Sequence, residues 1–362
     1  MEQTPADTRW SDRFAQERDR ILAALGAMPD GGIIEHLEHV GATSVPDLLG
    51  QPCIDIALAV WPFPLEEPAR QALAALDYAL DPDFSGAPEQ RFAHAGAPVR
   101  LYLVEAGSPL WTDYLAVREH LRHDPAARQA LSANKQARAD DAGSPAYRDA
   151  KRRWLDQLVG DAHRSWIARE GFAPLHHVAE ELRDFSPPWH VCGGWALDLF
   201  LGRVTRVHQD VDVVVSRADQ LILQEYLTAR GWTLLTPYEE RLHPWPPHIR
   251  LEPPRHQAHA HRCGAFIDFL LTDQEGGVWR YRRDPAIIRD LSRLGLQADD
   301  GIPFLAPELV LLFKSKNTSG RERAKDQVDF EVVCARLEPE RRAWLRWALL
   351  AAEPSHPWIE RL

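Results

Sequence analysis

HVCGGWALDLFLGRVTRVHQDVDVVV occupies residues 190–215. A short apolar start, two glycines, a helix-forming run and an apolar tail follow one another, which reads as strand, turn, helix, strand. The tail decides the reading. Asp210 and Asp212 interrupt its valines with one residue between them, and on a strand residues i and i+2 share a face. Two ionised carboxylates side by side repel each other and resist desolvation unless a cation lies between them. Mg²⁺ supplies that compensation through oxygen ligands and also recruits phosphate. A bare DxD is more often a pair of surface acids on an edge strand, so the surroundings must raise its weight.

They do. Gly193 and Gly194 stand where strand passes into helix. There glycine lets backbone approach phosphate oxygens, and the helix N-terminus offers unpaired N–H groups. A third acid, Asp268, sits inside the apolar run AFIDFLL, where a lone carboxylate needs a metal, a basic partner or a catalytic task. Three carboxylates from neighbouring strands facing a glycine turn suit metal-assisted phosphoryl chemistry. Asp210 and Asp212 would ligate the ions on a nucleoside triphosphate. Asp268 would ligate a second ion and take the proton of an attacking hydroxyl.

Outward from this stretch, 362 residues with a 45% hydrophobic share suffice for two cores, of roughly 150–200 residues each. The boundary is expected between a first domain, 1–168, and a second, 169–362. A formal net charge of −11 argues against broad, charge-driven nucleic-acid binding and suits a cationic partner. Cys53, Cys192, Cys263 and Cys334 are scattered without a CxxC spacing, the pattern of reduced thiols. The polar start MEQTPADTRWSDRF does not read as a signal peptide, and no apolar run reaches bilayer length, so a cytoplasmic location is expected.

In the first half, periodicity predicts a helix over 10–28, strands at IIEHLEHV, CIDIALAV and PVRLYLVEAG, and a helix over PLEEPARQALAALDYAL. A helical stretch follows over 111–169, broken near DPAAR and DAGSP. In the second half, helices are expected at APLHHVAEELRDF, ADQLILQEYLTARGW, LAPELVLLFKSK and RAKDQVDFEVVCARL. RHQAHAHRC gathers His256, His259, His261 and Cys263, but its spacing fits no zinc motif, and a solvent-facing loop is expected. A faint repeat is visible: His39-Val40-Gly41 precedes Asp55 as His190-Val191-Cys192-Gly193-Gly194 precedes Asp210.

GGWALDLFLGRVTRVHQDVDVVV, then AFIDFLL, VWRYRRDP, FLAPELVLLFKSK and RAKDQVDF in order, resembles the aminoglycoside 2''-adenylyltransferase-like nucleotidyltransferases. EHVGATSVPDLLGQPCIDIALAV, LVEAGSPLWTDYLAVREHLRHDP and YRDAKRRW resemble the GrpB family. Together these imply an α+β protein of two nucleotidyltransferase-superfamily, DNA-polymerase-β-like domains, each a mixed sheet with flanking helices. The resemblance further implies Mg²⁺ on Asp210, Asp212 and Asp268. Gly193, Gly194, Arg206, His208 and Lys314 are carried over as binders of ATP or another nucleoside triphosphate. GrpB members usually show His-Leu-His where this chain has Arg100-Leu101-Tyr102. Ala57 is expected where a second metal aspartate would stand, leaving Asp55 alone; two-metal chemistry is then not expected of this half, which would bind a ligand or serve structurally.

The expected reaction is transfer of a nucleotide, AMP by preference, to a hydroxyl of a small polar acceptor such as an aminoglycoside-like polycation. Two rival readings are a protein or tRNA acceptor, and a nucleotide-binding regulator with little turnover.

Overall fold

The structure is a computed structural model that describes residues 8–26, 33–61, 63–86, 88–105, 108–137, 145–239, 241–262, 265–315 and 324–362. It is an α+β protein with two mixed sheets, in two compact units: Met1–Arg169 with Glu239–Leu242, and Glu170–Tyr238 with His243–Leu362.

In the first unit, α1 (Thr8–Gly26) leads into β1 (Ile33–Val40), a 3₁₀ turn at Ala42–Ser44 and β2 (Ile54–Trp61). Then come α2 (Glu67–Ala74), β3 (Tyr78–Gly86), β4 (Glu89–His94), β5 (Val99–Glu105), α3 (Pro109–His123), α4 (Pro125–Ala137) and α5 (Pro145–Glu170). The sheet order is β1-β2-β5-β4-β3. Along β2 the alternation is strict: Ile54, Ile56 and Leu58 join the core with Ile21, Leu25 and Leu73, while Ala57 and Ala59 pack with Trp111 of α3. That alternation is what two helix-covered faces demand of a strand.

One expectation changes here and one is met. DYAL is not the end of a helix but the start of β3; Asp77, at φ 67°, turns the chain out of the helical region after α2. The break near DPAAR falls at Asp124, whose carboxylate accepts hydrogen bonds from the backbone N–H groups of Ala126 and Ala127 and so caps α4. The part of DAGSP at 141–144 lies outside the described residues, as do Ala27 and Met28.

The second unit runs α6 (Ala173–Glu181), β6 (Trp189–Val191), α7 (Gly193–Leu201), β7 (Asp212–Ser216) and α8 (Gln220–Ala229). The strands β8 (Thr233–Tyr238), β9 (Arg241–Pro244), β10 (Gln257–Arg262), β11 (Ala265–Glu275), β12 (Val278–Tyr281), β13 (Asp284–Asp290), β14 (Gly295–Gln297) and β15 (Pro303–Leu305) follow. Helices α9 (Pro307–Ser315), α10 (Ala324–Cys334) and α11 (Pro339–Ala352) end it, with a 3₁₀ turn at Pro357–Arg361. Its main sheet is ordered β14-β15-β6-β7-β11-β10-β8-β9, and β12 with β13 extends from β11.

RHQAHAHRC is not a loop. Its residues 257–262 form β10, paired on both sides by β11 and β8. The signal was the alternation itself: Ala258 and Ala260 are fully buried, while Gln257, His259 and His261 take the other face. Arg282 and Arg283 form the turn between β12 and β13. There Arg283 Nη1 donates to the Phe313 carbonyl at 2.9 Å.

A buried ion triad ties the second unit together. Glu308, at the start of α9, is fully buried and accepts from Arg289 of β13 at 2.7 Å and from Arg341 of α11 at 2.8 Å. At the chain's end, Trp358 stacks on Phe330 of α10 with ring centroids 4.1 Å apart, and its Nε1 donates to Gln327 at 2.7 Å. His356 Nε2 lies 3.1 Å from the Ser315 carbonyl at the end of α9. Among the described residues no helix is long and apolar enough to cross a membrane.

The two units repeat one topology. In the first, β1 is antiparallel to β2, β2 parallel to β5, and β5 antiparallel to β4, which pairs β3. In the second, β6, β7, β11, β10 and β8 pair in the same order and directions. The faint sequence repeat is therefore a repeated sheet.

Candidate active site

Strand β7 begins at Asp212, so only the second of the two acids is on the strand; Asp210 lies in the bend before it. The pair still interacts. Asp212's carboxyl is pushed up to about 7, first by burial and then by the Asp210 charge, against lowering by Lys314, Lys325 and Arg206. The protein's own cations leave this carboxylate undercompensated.

Asp268 is placed by register. In the parallel pair β7–β11 it stands directly opposite Asp212, so the two Cα atoms are one interstrand spacing apart, about 4.8 Å, with side chains on one face. All three acids bear on the buried Cys192 thiol, which burial and then Asp212, Asp268 and Asp210 push upward. The expected meeting of Asp210, Asp212 and Asp268 is thus a feature of the fold. Asp268 accepts from the Gln257 amide. His259 Nε2 is 3.9 Å from Asp268 Oδ1, and burial lowers that imidazole to about 4, so it stays neutral at pH 7.

The glycines have distinct tasks. Gly193, at φ 64°, is a conformation that L side chains avoid, and a Cβ there would strike Asp212 Oδ2. A Cβ on Gly194 would strike the Arg206 guanidinium and the His208 ring. Gly193→Ala is therefore expected to displace the Asp212 carboxylate while leaving the core intact. Mg²⁺ affinity measured by calorimetry should fall by about tenfold or more, with the far-ultraviolet circular dichroism unchanged.

The remaining carried-over residues are placed less simply. His208 Nε2 lies 2.7 Å from Asp198 Oδ2, and its ring stacks on Trp195 at 4.3 Å. Burial lowers its pKa in spite of Asp198. It builds the wall of the site. Asp198, which sequence reasoning passed over, is the hub: it also accepts from Thr205 N at 3.1 Å and Thr205 Oγ1 at 2.6 Å. The signal was a buried acid on the apolar face of WALDLFLG. Trp195 in turn donates to the Asp210 carbonyl at 2.9 Å, fixing the bend that carries that acid. Arg206 borders Gly194 and lies 3.7 Å from Asp329 Oδ2.

The phosphate contact expected of Lys314 is not the one its ammonium makes. Nζ sits 2.6 Å from Asp326 Oδ1 and 2.8 Å from Asp329 Oδ2, both acids buried, and so ties α9 to α10. An i, i+3 acid pair on a predicted helix, three residues apart as Asp326 and Asp329 are, was the legible clue.

In the first unit, the acid expected to be the first of a broken pair is the second. Val40 stands opposite Asp55, as the Cys192 N–H meets the Asp212 carbonyl at 2.8 Å. Gly41, at φ 71°, would carry its Cβ into Asp55 Oδ2. Asp55 therefore matches Asp212, Gly41 matches Gly193, and Cys53, not Ala57, stands where Asp210 does. Opposite Asp55 on the parallel partner strand stands Arg100, where the second unit has Asp268.

Against this geometry, comparison with known proteins gives two families. Residues 1–160 match the model of the GrpB protein family, and residues 174–297 match that of aminoglycoside-2''-adenylyltransferase. The chain is thus similar to the GrpB family in its first part and to aminoglycoside-2''-adenylyltransferase in its second. A UPF0157 protein of Streptomyces coelicolor is 38% identical over 119 residues, covering 33% of this chain and 59% of that relative. Among solved structures, the conserved protein GrpB from Enterococcus faecalis matches at TM-score 0.38 and 19% identity, over 44% of this chain and 96% of that one. The antibiotic-resistance factor ANT(2'')-Ia matches at TM-score 0.36 and 16% identity, over 51% and 92%.

Proposed function

We propose that the second unit is a nucleotidyltransferase of DNA-polymerase-β-like architecture that moves a nucleotide, AMP from ATP by preference, to a hydroxyl of a small polar acceptor. The observation that carries this reading is the register of Asp268 beside Asp212, with Asp210 two residues away and a glycine turn holding Asp212 in place. The family match supports the reaction class. The net charge of −11 suits a cationic, aminoglycoside-like acceptor.

The donor set fits Mg²⁺. Hard carboxylate oxygens are what that ion takes, and it is held by one or two of them plus substrate phosphates, not by an all-protein cage. Among the described residues no group of three or more histidines, cysteines, aspartates or glutamates is arranged to hold a metal ion by itself, so the triphosphate oxygens would have to complete the ligand set. Asp210 and Asp212 would hold the ion, with Asp268 at a second ion, and the ion would neutralise triphosphate charge. The chain's own groups do the rest. The Gly193–Gly194 turn and the first N–H groups of α7 face the phosphates. Asp268, oriented by Gln257, accepts the proton of the acceptor hydroxyl. Positioning carries most of the rate.

The test is pyrophosphate release with Mg²⁺, each ribonucleoside triphosphate, and a panel of aminoglycosides, lincosamides and polyols. Acceptor-dependent release supports the reading. Triphosphate binding that needs Asp210 but no release with any acceptor on the panel would move the acceptor to a protein or tRNA. No binding at all would leave a regulator.

Asp212 also predicts a pH signature. A carboxyl raised in the folded chain holds its proton more tightly than it does unfolded. Its contribution is full below the unfolded value, about 4, and is lost as pH rises through about 7. The metal-free protein is therefore expected to lose stability from this group between those limits. Mg²⁺ should raise Tm clearly at pH 8 and little at pH 5. An equal Mg²⁺ effect at both values would count against Asp212 as a ligand.

A further inference from the structure

We propose that the first unit carries a binding site for a phosphate-bearing anion that needs no divalent metal, because Arg100 supplies the positive charge that the second unit leaves to an ion. The argument starts from the shared sheet. Gly41 and Asp55 repeat the cradle of Gly193 and Asp212, including the positive φ and the carboxylate seated over the glycine. Around that cradle the charges are inverted: Cys53 replaces Asp210, and Arg100 replaces Asp268.

The contacts show the inversion. Arg100 Nη1 lies 3.7 Å from Asp55 Oδ1. Tyr102, on the same face of β5, donates its hydroxyl to that carboxylate at 3.0 Å. Arg100 Nη2 also donates to Gln51 at 3.2 Å. A carboxylate already held by a guanidinium and a phenol has little left for a hard cation. Beside Asp55 and Arg100 the Cys53 thiol, raised to about 11 chiefly by burial, remains protonated and neutral.

Arg100 is half exposed and lines a cavity of about 380 Å³ together with Gln51, Cys53, His94 and Val99. This volume is that of a small-molecule site. The guanidinium presents five N–H donors in a planar fork. The fork engages Asp55, Gln51 and the Tyr102 hydroxyl, and its exposed half would share donors with phosphate oxygens, the partner that this geometry matches best.

Titration calorimetry on the full chain carrying Asp210→Ala and Asp212→Ala tests this, in EDTA, with ATP, AMP and inorganic pyrophosphate as probes. Removing both second-unit aspartates makes the outcome independent of the transferase reading. One molar equivalent of an EDTA-resistant probe is expected to bind. Arg100→Ala should weaken it by about tenfold or more, and Arg100→Lys should restore part of the loss, since it keeps the charge but not the fork. ATP and AMP binding without pyrophosphate would assign a nucleotide; equal binding of pyrophosphate would assign the phosphate alone. If Arg100→Ala does not fold, Arg100→Gln serves in its place. Absence of EDTA-resistant binding for every probe, or binding that the Arg100 variants leave unchanged, overturns the proposal.

Discussion

Pyrophosphate release is expected to fall by about a thousandfold or more in Asp212→Asn, a loss of ~4 kcal/mol of transition-state stabilisation. Asparagine keeps the shape that sits over Gly193 and removes only the charge. In the metal-free protein that charge is a liability, because burial and Asp210 both oppose it. The same substitution should therefore raise Tm without metal and abolish the Mg²⁺-induced increase at pH 8. The opposite movements of activity and stability separate a ligand from a structural acid. Asp268→Asn should cost a similar factor in rate. If either variant retains more than about a tenth of wild-type turnover, the three-carboxylate assignment fails.

The second large effect is on stability. Glu308→Ala is expected to destabilise the second unit by about 3–5 kcal/mol, because it takes from the buried Arg289 its carboxylate and leaves Arg341 only Glu338. Glu308 is fully buried and Arg289 nearly so. For a unit of this size that corresponds to a Tm lower by roughly 6–20 °C. Glu308→Gln keeps the volume but not the charge and should fall between. A calorimetric scan decides. Loss of less than about 1 kcal/mol would mean that the triad is solvated, in conflict with its burial.

Much of this was legible before any coordinates. The glycines, the acids and their order fixed the strand–turn–helix–strand reading, since buried carboxylates need a reason and periodicity showed where they sit. What escaped was whatever depends on register. Asp55 was paired with the wrong partner because counting along the chain sees spacing, whereas the 3₁₀ turn after β1 is shorter than α7 after β6. Only strand pairing shows that Arg100 and Asp268 occupy equivalent places. β10 was misread because histidine suggests loops and metals, and the alanines between were given no weight. Lys314 looked like a phosphate hook because its partners, Asp326 and Asp329, come from the next helix. Asp198 is missed because its three hydrogen bonds reach residues up to ten positions away and cannot be read locally.

The stacked Trp358 has a practical meaning for anyone handling the protein. Its ring and that of Phe330 are nearly parallel, 6° apart, and Trp358 and Ile359 are buried. That turn presses on α10, whose Asp326 and Asp329 grip Lys314. Emptying that stack, as Trp358→Ala would, loosens the packing of α10 that also presents Asp326 and Asp329 to Lys314, so Trp358 is a residue to leave untouched in any assay variant.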